Sequence, residues 1–156
     1  MDFERLTFEN RRGQKLAARL DWPIDGRPTA FALFAHCFTC TKNLKAIGNI
    51  TKPLNRSGIA VLRFDFTGLG ESEGDFADTN FTSNVEDLVD ASRFLEERHR
   101  APALLIGHSL GGTAVLRAAA ELPDVEAVVV LAAPAVADHL LRHIEDEVET
   151  IEQKGE

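Results

Sequence analysis

The sequence predicts an α/β fold: a mostly parallel sheet with an N-terminal antiparallel hairpin and helices on both faces. Three observations predict it. Apolar runs of strand length alternate with helical stretches, the pattern of parallel strands joined by crossover helices. Those runs are continuous rather than alternating, as in strands buried on both faces. Ahead of them, two short alternating stretches flank a Gly-containing turn, which reads as a hairpin.

The elements follow in order. Arg5–Phe8 and Lys15–Leu20 flank Asn10–Gly13 and form the hairpin. Pro23–Pro28 is a loop. Ala30–Ala35 is the first buried strand, and Asn43–Asn55 carries a helical pattern closed by Ser57-Gly58. Ile59–Phe64 is the next strand, and Asp65–Asp78 a Gly-rich loop. Asn84–Arg98 is an amphipathic helix with Val85, Leu88, Val89, Phe94 and Leu95 inward. Ala103–Ile106 is a strand, Ser109–Leu122 a helix of small residues ended by Pro123, and Val125–Leu131 the last strand. Residues 1–137 are expected to form one core, and residues 138–156 an acidic amphipathic helix. Leu140, Leu141, Ile144, Val148 and Ile151 give that helix an apolar stripe, which covers either its own sheet or a partner chain.

Composition narrows the function. A chain of 156 residues, 44% hydrophobic and 27% charged, fits one soluble domain. Its net charge of −8 repels phosphate backbones and anionic lipid, so no nucleic-acid or membrane partner is expected. The start, Met1-Asp2-Phe3-Glu4-Arg5, lacks the basic and apolar segments of a signal peptide. The longest apolar run, Ala127–Ala137, contains Pro134 and is too short to span a bilayer. Cys37 and Cys40 are too close in sequence to staple distant parts, and a cytoplasmic setting is expected.

One motif carries chemistry. Gly107-His108-Ser109-Leu110-Gly111 fits G-x-S-x-G, and it stands after a buried strand and before a helix. That context makes Ser109 the candidate nucleophile. Gly107 and Gly111 support the sharp turn, where side chains would collide with backbone. The Leu110 N–H and the positive end of the following helix point at a developing oxyanion. The competing structural reading is a Gly-rich turn with an ordinary capping serine. A second oxyanion donor should come from the loop after an earlier strand. His36-Cys37-Phe38 ends the Phe31–Ala35 run there, which makes the Phe38 backbone N–H the candidate. The loop Asp65-Phe66-Thr67-Gly68-Leu69-Gly70-Glu71-Ser72-Glu73-Gly74 fails both phosphate-loop patterns, so it does not read as a nucleotide site.

These stretches together resemble the α/β-hydrolase superfamily, in the group of serine aminopeptidase-like and esterase-like enzymes. A closer resemblance is to the hydrolase half of hydrolase–OsmC-like fusion proteins, through His36-Cys37-Phe38-Thr39-Cys40 and Phe81 with Asn84–Leu88. The resemblance implies a partial α/β-hydrolase fold and hydrolysis of small esters, thioesters or amides through a Ser109 acyl-enzyme. In that family the acid and the histidine of the triad follow strands later than Val125–Leu131, and this sequence stops at Glu156. It therefore implies a C-terminally incomplete hydrolase with weak or no activity. The stand-ins late in the chain are Asp138 as acid and His139 or His143 as base. His139, His143 and Glu147 have helical metal-ligand spacing, but a solvated surface is the plainer reading and no cofactor or metal is called for.

Two other classes stay open. Cys37-Phe38-Thr39-Cys40 is C-x-x-C before a helix, which suits a thiol-disulfide oxidoreductase. The plain alternative is two small residues lining an acyl pocket. The chain also reads as a non-catalytic scaffold or fragment. In that case a homodimer would form through the exposed sheet edge at Val125–Leu131 or the terminal helix.

Overall fold

The computed structural model describes residues 2–37, 40–43 and 45–134. Six strands form one sheet: β1 (Phe3–Glu9), β2 (Lys15–Asp21), β3 (Ala30–Ala35), β4 (Ile59–Phe64), β5 (Leu104–His108) and β6 (Ala127–Leu131). Their order across the sheet is β1-β2-β4-β3-β5-β6. β1 pairs antiparallel with β2, and β2 antiparallel with β4. The pairs β4–β3, β3–β5 and β5–β6 are parallel. The expected mixed sheet with a leading hairpin is thus observed.

Period-two alternation divides the central strands between two cores. Leu33, Ala35, Ala60, Leu62, Phe64 and Leu105 face the larger one. There they meet helix α2 (Phe81–Arg98) through Leu88, Val89 and Leu95, and helix α3 (Leu110–Ala119) through Ala114, Val115 and Ala118. Ala32, Phe34, Val61 and Ile106 face the smaller core under helix α1 (Lys45–Arg56), with Ile47 buried and Ile50 and Leu54 packed at its margin. Burial on both faces is why these strands read as unbroken apolar runs. Each fully buried large side chain contributes roughly 1.5–3 kcal/mol. β6 differs: it forms one edge of the sheet, and Val129 and Val130 are 42% and 36% exposed.

Two helix boundaries differ by three residues from the sequence reading, and the others by at most two. α2 begins at Phe81 rather than Asn84, because Asn80 and Ser83 close a capping box: Ser83 N–H donates to Asn80 Oδ1 (3.0 Å) and Asn80 N–H to Ser83 Oγ (2.9 Å). α3 ends at Ala119 rather than Leu122, its chain continuing in single turns toward Pro123. Of the positions expected inward on α2, Phe94 is only partly buried, stacked on Phe8 at 5.1 Å. The expected terminal helix, residues 138–156, lies outside the described residues.

The hairpin turn is tied to the rest of the fold by polar contacts. Buried Asn10 accepts from the Arg12 and Gln14 amides and donates to Asp87 Oδ1 (2.9 Å) and Thr67 Oγ1 (3.1 Å). Asp87 Oδ2 accepts from the Thr67 N–H (3.0 Å). One asparagine and one aspartate thus lock the hairpin, α2 and the loop after β4 together.

Candidate active site

β5 ends at His108, and the chain turns at Ser109 into α3. Ser109 has φ 56° and ψ −124°, a left-handed backbone that a non-Gly residue adopts only at a cost of order 1–3 kcal/mol. One tertiary bond and one local bond hold it there. The Ser109 N–H donates to the Leu131 carbonyl at the end of β6 (2.8 Å), and the Ser109 carbonyl accepts from Gly112 (2.8 Å). The Ser109 side chain makes no capping bond to α3, so it does not act as an ordinary helix cap. Leu110 is the first helical residue, and its N–H has no acceptor within the helix.

Glycines allow this turn. A β-carbon at Gly107 would run into the Gly111 carbonyl, and one at Gly111 would lie 2.5 Å from both the Ala35 and His36 carbonyl oxygens. The second contact also locates the loop after β3: its backbone presses directly on the first turn of α3. This is where a second oxyanion donor would be needed, although Phe38 itself lies outside the described residues.

That loop is tightly organised. Cys37 and Cys40 form a disulfide, with Cα atoms 5.3 Å apart, and the Cys40 N–H donates to the Cys37 carbonyl (3.1 Å). The pairing is local, as the spacing requires. His36 is buried; its Nδ1 donates to the Cys37 carbonyl (2.6 Å), and its Nε2 stands 3.6 Å from Asp65 Oδ1, too far to hydrogen-bond. It orders the loop.

A buried charge network sits under the same loop, and sequence reading missed it. Asp65, fully buried at the end of β4, accepts from the Lys42 N–H (2.6 Å), Lys42 Nζ (2.6 Å) and the Glu71 N–H (3.0 Å). Lys42 also pairs with Glu71. Arg63 donates to the Lys42 carbonyl (2.7 Å) and to Asp21 (2.6 Å), and Arg19 reaches the other Asp21 oxygen (2.7 Å). Burial pushes the Asp65 carboxyl up, but the donors from Lys42 and Glu71, with the His36 ring close by, outweigh it and hold the group well below the usual carboxylate range. The one sequence signal was Arg63, a charge inside an otherwise apolar strand.

The other histidines are engaged elsewhere. His108 points to the α1 face, where it lines a small apolar cavity of about 60 Å³ with His36, Phe34, Ala46, Ile47 and Ile50. His99 caps the C-terminus of α2 and stacks on Phe31 at 5.4 Å, at the N-terminal end of β3, the opposite end of the parallel strands from Ser109. Asp138, His139 and His143 lie outside the described residues. Among the described residues, no group of three or more His, Cys, Asp or Glu side chains could hold a metal ion. No helix among them is long and apolar enough to cross a membrane.

Comparison with known proteins agrees with this geometry. A family profile described as serine aminopeptidase, S33, matches residues 28–153. The chain is similar to a monoglyceride lipase of Rattus norvegicus, 29% identical over 129 residues, which cover 81% of this chain and 42% of the lipase. It is also similar to the mitochondrial palmitoyl-protein thioesterase ABHD10 of Mus musculus, 32% identical over 104 residues, 64% of this chain and 33% of that protein. Among solved structures, the esterase domain of a Rhodothermus marinus protein is 56% identical with a TM-score of 0.75, covering 92% of this chain and 55% of that one. Est1E of Butyrivibrio proteoclasticus, solved with ferulic acid bound, gives a TM-score of 0.80 at 27% identity, over 88% of this chain and 56% of its own. The chain therefore spans between a third and a little over half of the length of these relatives. With a profile match over most of its length, on a mixed sheet of the matching architecture, the chain belongs to the serine aminopeptidase S33 family of α/β-hydrolases.

Proposed function

We propose that Ser109 is the nucleophile of a serine hydrolase acting on small esters and thioesters, with amides as the harder substrates. The observation that carries this reading is the left-handed turn at Ser109, with a side chain that makes no capping bond beside the unpaired N–H of Leu110. Ester and thioester chemistry is supported by the names of the lipase, thioesterase and esterase relatives. In the reaction, Ser109 Oγ attacks the carbonyl carbon, and the negative charge moves to the carbonyl oxygen. The Leu110 and Phe38 amides hold that oxygen. Collapse expels the alcohol, thiol or amine and leaves an acyl-enzyme, which water then cleaves. A base must take the Ser109 proton; within this chain the stand-ins are His139 or His143 as base, with Asp138 as the acid.

The test is hydrolysis of p-nitrophenyl acetate by the chain and by Ser109→Ala. Turnover lost in the variant supports the reading. Turnover equal in both would refute it.

The Cys37–Cys40 disulfide favours a second reading, thiol-disulfide exchange. In the cytoplasmic setting of our reading, such a bond is transient and redox-responsive rather than a staple. Redox titration with thiol labelling tests it: a pair that does not exchange with glutathione ends the idea. The scaffold reading rests on the exposed β6 edge and calls for a homodimer, which light scattering would detect.

A further inference from the structure

Three arginines stand in register across three strands. Arg5 of β1 lies opposite Arg19 of β2, and Arg19 lies opposite Arg63 of β4. Cross-strand partners project from one face of a sheet, so the three side chains share a face. It is the α1 face, because Val61, two residues before Arg63, packs in the core under α1. Helix α1 adds Lys45, Asn49 and Lys52, whose spacing puts them on one side of the helix. With Asn43 they form, beside Arg19 and Arg63, an open groove of about 420 Å³. The first turn of α1 carries no acidic residue, so the positive end of the helix adds to the field.

The charges do not balance. Asp21 bridges Arg19 and Arg63. Arg5, Lys45 and Lys52 are exposed and have no ion-pair partner among the described residues. The neighbouring Lys42 faces Asp65 and Glu71, which leaves one extra carboxylate there. Even so, a clear cationic surplus remains in a chain whose net charge is −8. Like charges directly opposed weaken a sheet, and an anion bound over the row would offset that cost.

We propose that this groove binds the phosphate group of a phosphorylated small molecule. The side chains suit it: Lys45 and Lys52 bring exposed charge, Arg19 a part-exposed guanidinium at the groove wall, and the asparagines neutral donors, while buried Arg63 adds its field from below. The place suits it too. Arg63 and Ser109 both stand at the carboxyl ends of parallel strands, and only β3 separates β4 from β5. At about 4.8 Å per strand step, the two strands lie roughly 10 Å apart. A substrate could therefore rest its phosphorylated end in the groove with its acyl carbon at Ser109. That last step rests on the hydrolase reading; the binding of phosphate does not.

The experiment titrates inorganic pyrophosphate into the chain by calorimetry at physiological ionic strength. The partner is the double variant K45Q/K52Q, whose positions are exposed and outside the catalytic machinery. The control is R27Q/R93Q, which removes the same charge from other surfaces. Saturable binding weakened at least about tenfold by K45Q/K52Q, and less than about twofold by the control, is the expected result. No binding at millimolar pyrophosphate overturns the proposal, as does equal loss in both variants. So does tighter binding to DNA or to anionic vesicles than to pyrophosphate. A second arm compares an acylated phosphopantetheine thioester with its unphosphorylated counterpart. A KM advantage for the phosphorylated form that K45Q/K52Q removes makes the phosphate part of the substrate. Pyrophosphate binding without that advantage makes it a separate ligand. If no thioester is turned over, the hydrolase reading fails and the binding result still stands.

Discussion

Replacing Asp65 by Asn should unbalance the charge network beneath the loop after β3. The amide keeps one acceptor but turns a donor toward Lys42, which is itself nearly buried and accustomed to a carboxylate at 2.6 Å. Breaking a buried ion pair by removing one partner costs about 3–5 kcal/mol. Glu71, with a side chain 67% exposed, still pairs with Lys42 and softens the loss, so about 3 kcal/mol is expected. For a chain of this size that lowers Tm by roughly 6–12 °C. The effect has a pH signature. The folded Asp65 pKa lies below its unfolded value, so its stabilisation is present above the unfolded pKa of about 3.9 and is lost as the pH falls toward the folded one. The gap between parent and variant should hold steady from pH 7 to about 5 and close below about 4. Urea unfolding followed by the fluorescence of Trp22 measures it. A gap under about 1 kcal/mol at neutral pH, or one that stays the same in acid, would refute the reasoning.

Three further outcomes follow from single contacts. Gly111→Ala forces a β-carbon against the Ala35 and His36 carbonyl oxygens, so it should cost about 1–3 kcal/mol or more and lower any Ser109 reactivity with it, both read on one preparation. Asn10→Ala strands the buried Asp87 and Thr67 contacts and should cost about 2–3 kcal/mol by urea unfolding, with hydrogen exchange rising in the hairpin turn first. If β6 is a self-association edge, Val129→Lys should shift light scattering toward monomer, whereas Leu116→Lys, at a still more exposed apolar position on α3, should not.

Much of this fold was legible because its strands are simple. Ala30–Ala35 is apolar throughout and Ile59–Phe64 is apolar but for Arg63, and only central strands can bury both faces. Ser109 was legible because two glycines and a strand–helix junction constrain it locally. The polar framework was not. Asp65 is held by residues 23 and 6 positions away in sequence, and Arg63 meets Asp21 across 42 positions. Such pairs follow from sheet order and register, which hydrophobic periodicity does not encode. The row Arg5–Arg19–Arg63 is invisible for the same reason: three unremarkable arginines become one feature only after β2 is placed between β1 and β4. The start of α2 was readable in principle, since Asn80-x-x-Ser83 is a capping pattern, but the apolar periodicity begins later, at Val85.

The most direct test of the central claim is covalent. A fluorophosphonate is incubated with the chain in the presence of imidazole, which supplies a base from solution, and the adduct is mapped by peptide mass spectrometry. The account predicts a single phosphonylated residue, Ser109, with labelling abolished in Ser109→Ala and retained in Ser72→Ala. Labelling elsewhere, or none under conditions that modify a known serine esterase, would contradict it.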